Sequence, residues 1–200
     1  MKTHNKKKSQ RSNDLLPPIS AFETTDHRMI EGEHPAMIDE ETLLKDVSLD
    51  FGRSSGPGGQ HRNRKATACT ATHTSTDISG EGTERRRQSE NRKMAISRLR
   101  RNLAVQLRRK INVISYKSSD LWENRRNGDK IAINPKHKDY PCILAECLDI
   151  ILACNFDMSK SAETLQVSTS QLLKIISHDK SALTWLNDQR SNLSLKPLKT

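Results

Sequence analysis

Aromatic residues are scarce in this chain: two Trp, two Tyr and three Phe make up 4% of its 200 residues. Hydrophobic residues of every kind reach 33% and the mean hydropathy is −0.78. A chain of this size has room for one or two small domains with a modest core, and part of its length is expected to stay unstructured. Long apolar runs are missing too. The longest, Ile150-Ile151-Leu152-Ala153-Cys154, is far shorter than the roughly 20 residues that cross a bilayer, so no membrane association is expected. Lys2, Lys6, Lys7 and Lys8 precede no apolar stretch, so no secretory signal is expected either, and the cytoplasm is the expected location. Cysteine pairs of the Cys-x-x-Cys type are absent. Cys142, Cys147 and Cys154 recur at spacings of five and seven along an apolar helical stretch, which with Cys69 reads as buried, reduced thiols. Although His137 lies nearby, the spacings do not match the usual zinc ligands, so neither metal nor cofactor is expected. Acidic residues are in deficit: 24 Asp and Glu face 34 Lys and Arg, a net charge of +10. With membranes set aside, that excess points to nucleic acid as the partner.

Residues 1–35 are polar, contain Pro17-Pro18 and show no sustained period, which predicts a disordered tail. A short helix is expected over 39–45. Val47, Leu49 and Phe51 then alternate with Ser48 and Asp50 as in a half-buried strand. Over 66–73, Thr67, Cys69, Ala71 and His73 fall on one face of a second strand, and 78–81 reads as a weak third. The clearest helix covers 89–110, where Ile96, Leu99, Leu103 and Leu107 form one apolar stripe. Between Arg85 and Lys110 stand eleven Arg or Lys and one acidic residue, Glu90. Like charges at helical spacing repel, and neutralisation by phosphate offsets that repulsion, so this run is read as an RNA-facing surface rather than a merely solvated one. Residues 113–139 read as a polar connector. Residues 140–196 read as a compact helical unit, with Pro141 in a first turn, two helices around Val167-Ser168-Thr169-Ser170, and a last helix holding Leu183, Trp185 and Leu186.

The stretch Arg53-Ser54-Ser55-Gly56-Pro57-Gly58-Gly59-Gln60-His61-Arg62-Asn63 breaks all periodicity. Three glycines and a proline in four positions specify backbone shape, because glycine permits positive φ and close approach of another backbone. The groups left for chemistry are the amide N–H groups and Gln60. Arg53, Arg62, Arg64 and Lys65 flank them, which suits entry into a phosphate-rich place. Neither a Walker loop nor a dinucleotide fingerprint fits. A glycine cluster alone would read as a hairpin loop with solvated arginines; the longer pattern is more specific.

Arg53-x-Ser55-Gly56-x-Gly58-Gly59-Gln60-His61-x-Asn63, followed by His73, Thr76, Arg86, Gln88, Asn91 and an Arg/Lys-rich helix, resembles the catalytic domain of class I peptide chain release factors. In size the chain is most similar to their codon-independent ribosome-rescue relatives. The resemblance spans about 46–107. Ser75 and Asp77 depart from the family's Pro-Thr-Gly turn, Arg87 stands where serine is common, and Ser79 and Gly80 replace an apolar strand, so that edge is expected to be less stable. The fold class implied is α+β: a small catalytic domain over 36–112, with a short antiparallel sheet and a long basic helix, followed by an all-α unit that resembles a helix-turn-helix.

The resemblance also implies an activity, hydrolysis of the peptidyl-tRNA ester in the large-subunit peptidyl transferase centre of the ribosome. Gly58, Gly59 and Gln60 are then the catalytic residues, with the Gln60 amide donating to the developing oxyanion or the leaving ribose 3′-oxygen. RNA contacts fall to Arg53, His61, Arg62, Asn63, Arg64, Lys65, Arg85, Arg86, Gln88, Asn91, Arg92, Arg98 and Arg101. A glutamine methyltransferase acting on Gln60 is a further partner that the family suggests. Stop-codon reading is not expected, since the Pro-x-Thr and Ser-Pro-Phe tripeptides of codon-reading factors are missing. Two other readings stand beside this one: a non-catalytic ribosome- or RNA-binding protein, and a helix-turn-helix regulator, the latter weakened by Gln166 where glycine often precedes the turn. For the helical unit itself, docking on the catalytic domain and binding of RNA or protein both remain open.

Overall fold

In a computed structural model, residues 28–53 and 66–199 are described. The architecture is α+β, with small sheets and longer helices. β1 (Arg28–Ile30) leads to α1 (Glu40–Leu44), whose Asp39 N-cap carboxylate accepts from Thr42 N at 2.9 Å. β2 (Val47–Gly52), β3 (Ala68–His73) and β4 (Ile78–Gly82) form a three-stranded antiparallel sheet in the order β2-β3-β4. Alternation in β3 is as expected, with Cys69, Ala71 and His73 buried. The expected tail ends early: residues 28–30 form a strand, His34 and Ala36 are fully buried, and the rest of the tail, 1–27, lies outside the described residues.

The long helix α2 (Gln88–Gln106) lies across this sheet. Its stripe of Ile96, Leu99 and Leu103 is buried as expected, but the helix stops four residues short of the expected end. Leu107 turns to φ −103° and ψ 144°, and β5 (Leu107–Arg109) pairs in parallel with β1. A distant segment supplies the hydrogen bonds that end the helix, so the local period gives no sign of it. The sheet edge expected to be weak has another character. A Cβ on Gly80 would stand 2.2 Å from the Leu99 nitrogen, and one on Gly82 would stand 2.1 Å from the Asn91 oxygen. These glycines let β4 rest directly on the α2 backbone, a close approach that any side chain would forbid.

The region expected to be a connector holds α3 (Asp120–Arg125) and a hairpin of β6 (Arg126–Asn127) and β7 (Lys130–Ile131). It is packed into the core. Trp122 is fully buried and donates its indole N–H to the Leu165 carbonyl at 3.0 Å. α4 (Tyr140–Ala153) is buried over its whole length to Ile151 and, apart from Glu146 and Asp149, is apolar on nearly every side. Its two buried carboxylates are satisfied by elements outside the helical unit. Glu146 accepts from Tyr116 Oη at 2.6 Å and from Ser119 N and Oγ at 2.8 and 2.6 Å. Asp149 accepts from Arg109 N and Nε at 3.1 and 2.8 Å. Cys142, Cys147 and Cys154 are free and buried along this helix, and burial pushes the Cys147 thiol well up.

α5 (Met158–Thr164) and α6 (Thr169–Ser177) form the helix-turn-helix-like pair, and α7 (Lys180–Asn192) closes the chain. Ser168 is the N-cap of α6, accepting from Gln171 N at 3.3 Å. Gln166 adopts φ +54°, the left-handed conformation for which glycine is favoured there. Among the described residues no helix is long and apolar enough to cross a membrane.

Candidate functional site

Gly58, Gly59, Gln60, His61, Arg62, Asn63, Arg64 and Lys65 lie outside the described residues. The structure describes what holds both ends of that segment. On the incoming side Gly52 pairs with Ala68 and Phe51 with Cys69, so Arg53, which is exposed, leaves from the end of the β2–β3 ladder. On the outgoing side, Gln88 Nε2 donates to the Ala66 carbonyl at 3.1 Å and Asn91 Nδ2 donates to the Thr67 carbonyl at 2.6 Å. Asn91 also donates to Arg85 O at 2.9 Å and accepts from Arg85 N at 2.8 Å. One fully buried amide thus ties the start of α2, the preceding turn and the segment's exit strand together. This corrects the expectation for Asn91: a side chain with no exposure and three internal hydrogen bonds is unavailable to RNA, and it acts by positioning.

The arginines divide in the same way. Arg85, Arg86 and Arg87 are exposed around the N-terminus of α2, and among the described residues no ion pair engages them. Arg92 is half-buried one turn on. Three positive side chains at the positive end of a helix macrodipole make a place where anions are stabilised. Arg98, expected to meet RNA, donates to Glu81 O at 2.5 Å and to Glu84 at 2.6 Å, and its guanidinium holds the Glu84 carboxyl down to about 2. Arg101, expected to do the same, donates to the Pro135 carbonyl and lies 5.4 Å from the centre of the Tyr140 ring. Both are engaged within the fold because the carbonyls they need belong to segments far away in sequence.

Two further arginines of the run are interior. Arg100 donates to the carbonyls of Ala36 and Ile38 at 3.0 and 2.8 Å. Arg108 is fully buried, stacks 4.5 Å from the Trp185 ring centre, donates to Ala104 O at 2.8 Å, and lies 3.8 Å from Asp149. Burial pushes the Arg108 guanidinium down to about 10 and the Asp149 carboxyl up, each against the attraction of its partner. The Arg108 guanidinium is therefore protonated at neutral pH. His34 lies beside them, its ring between Ala36 N and Leu107 O at 3.0 and 3.2 Å; burial, then the Arg108 charge, pushes it down to about 3, so it is neutral in the fold.

Sequence reasoning missed Gly80, Gly82 and Arg87. Ile78, Gly80 and Gly82 occupy the inner face of β4, and two glycines two apart on a buried face are the signal that marks such an approach. His73 and Thr76 lock the β3–β4 turn, with Nδ1 2.8 Å from Oγ1. In that turn Asp77 has φ +56°, the conformation that explains glycine in related turns and that Asp tolerates. Among the described residues no group of His, Cys, Asp and Glu could hold a metal ion.

Comparison with known proteins agrees with this frame. The chain is 38% identical over 82 residues to peptide chain release factor 2 of Neorickettsia sennetsu, covering 40% of this chain and 21% of that one. It is 41% identical over 59 residues to the peptide chain release factor 1-like mitochondrial protein of Rattus norvegicus, covering 30% of this chain and 16% of the relative. The matches span about a fifth of the length of the first relative and about a sixth of the second. The RF-1 domain family model matches residues 37–138, half of the chain, across the sheet, α2 and the hairpin, and the protein belongs to that family.

Proposed function

We propose that the chain acts on the ribosome as a release-factor-like hydrolase of the peptidyl-tRNA ester, in the cytoplasm and without reading a stop codon. The observation that carries this reading is the intact Gly58-Gly59-Gln60 tripeptide in a segment whose flanks are anchored beside the exposed Arg85, Arg86 and Arg87. The reaction needs an activated water, a donor for the oxyanion and a stabilised leaving ribose oxygen. The backbone N–H of Gln60 supplies the donor and its side-chain amide orients the water, with Gly58 and Gly59 permitting the backbone shape. No side-chain nucleophile takes part. Phosphate contacts at the start of α2 orient the domain against RNA, and Gln88 and Asn91 hold the exit strand on which the tripeptide depends. Codon independence is supported by the missing Pro-x-Thr and Ser-Pro-Phe tripeptides. A methyltransferase acting on Gln60 belongs to the same reading.

The test is release of labelled peptide from ribosome complexes with no codon in the A site. Wild type should release peptide, and Gly59→Ala should lose about a hundredfold or more in rate, the scale of a lost oxyanion donor, because a Cβ there bars the backbone shape that aims the Gln60 N–H. Wild-type protein that binds these ribosomes yet releases nothing, with or without a stop codon, would sink the catalytic reading and leave a ribosome-binding protein.

A further inference from the structure

The helical unit and the β6–β7 hairpin form a surface that the ester chemistry does not use. The hairpin turns at Gly128, with φ +62°, and its tip is fixed to the helix-turn-helix by the Ser168 N–H donating to Asp129 O at 3.0 Å. Gln171 of α6 donates to Ile131 O at 3.2 Å, which seals the back of the joint. Between hairpin and α6 lies a groove of about 290 Å³. Its floor is apolar, with Ile131 and Ile175 buried and Ile133 half-buried. Its rim carries Lys130, Lys174 and His178, all exposed.

Among the described residues lining the groove none is acidic, and no ion pair engages either lysine. The nearest carboxylate in sequence to His178, that of Asp179, is directed away to cap α7, accepting from Ala182 N at 3.1 Å. Asp129 is the acidic neighbour of Lys130 on the hairpin tip.

We propose that this groove is a second RNA-binding surface, which takes a single-stranded segment one nucleotide at a time. A cationic rim over an apolar floor, with an imidazole on the edge, matches a strand that presents phosphates on one side and a base face on the other. Duplex is disfavoured by geometry: the hairpin, joined to α6 through Gln171 and Ile131, covers the flank that a groove-reading helix would have to expose, and about 290 Å³ is the size of a small-ligand pocket rather than of a duplex-reading face. The inference does not depend on ester hydrolysis and would survive its failure.

Anisotropy of a labelled single strand of about ten nucleotides, titrated with the full chain at several salt concentrations, tests it. The Lys130→Ala/Lys174→Ala double variant should bind on the order of tenfold more weakly, with a salt slope shallower by roughly 0.7 per lost contact. Ultraviolet crosslinking should place the strand on the peptide that contains His178. Unchanged affinity and slope, with crosslinks confined to the start of α2, would overturn the proposal. So would a double variant that binds RNA normally but no longer sediments with ribosomes, since the groove would then fit a protein.

Discussion

The two ends of α2 share one arginine-rich sequence and do opposite things with it. At the N-terminal end Arg85, Arg86 and Arg87 project into solvent around the flanks of the Gly-Gly-Gln segment. Past the middle, Arg100 and Arg108 are buried, and their guanidinium groups serve as caps for carbonyls of residues 36, 38 and 104. Charge density along a sequence therefore does not separate a polyanion-binding face from an interior scaffold; what separates them is whether a carbonyl or carboxylate from another segment reaches the guanidinium first.

The contrast can be broken from the inside. Arg108→Ala removes a buried cation from Asp149, from the end of α2 and from the Trp185 ring. Truncating one partner of a buried pair costs about 3–5 kcal/mol, and Arg109 still holds Asp149, so a loss near the lower figure is expected in chemical denaturation. Ribosome affinity of the folded fraction should stay at the wild-type value. A loss of affinity with stability intact would mean that this end, too, meets RNA.

Asn91→Ala sits between the two behaviours. It leaves the Thr67 carbonyl and both Arg85 backbone groups without their partner, a cost of about 2 kcal/mol. On the proposed function, loosening the exit strand of the Gly58-Gly59-Gln60 segment should lower the peptide-release rate tenfold to a hundredfold while ribosome binding is retained. Equal losses in rate and in binding would assign Asn91 to RNA after all. The smallest effect on stability is expected from Arg86→Ala/Arg87→Ala, within about 0.5 kcal/mol, because both side chains are exposed and no ion pair engages them among the described residues. Its effect is on binding: a weaker ribosome complex whose salt dependence falls by about one unit per lost phosphate contact.

Much of the region matched by the RF-1 domain family was legible because its signals are local. Alternation in β3 and the stripe of Ile96, Leu99 and Leu103 each follow from residues a few positions apart. What could not be read depends on distant partners. Leu107 continues the helical period perfectly well, yet it pairs with Arg28 in a strand. Polarity marked 113–139 as a connector, whereas Trp122 finds its carbonyl at Leu165 and the segment becomes part of the core. The candidate site shows the same division: the tripeptide is evident from its own residues, whereas the anchoring roles of Gln88 and Asn91 need the carbonyls of Ala66 and Thr67 in place.

The encasement of α4 bears on how the molecule comes apart. A helix buried on all sides, with Glu146 bound to the 116–119 segment and Asp149 to β5, has no free face along which the chain could be divided. Losing it would bare the apolar backs of α2 and the helix-turn-helix at once. Unfolding of the described residues is then expected to be a single transition, and limited proteolysis is expected not to part the RF-1-like region from the C-terminal helices in folded form.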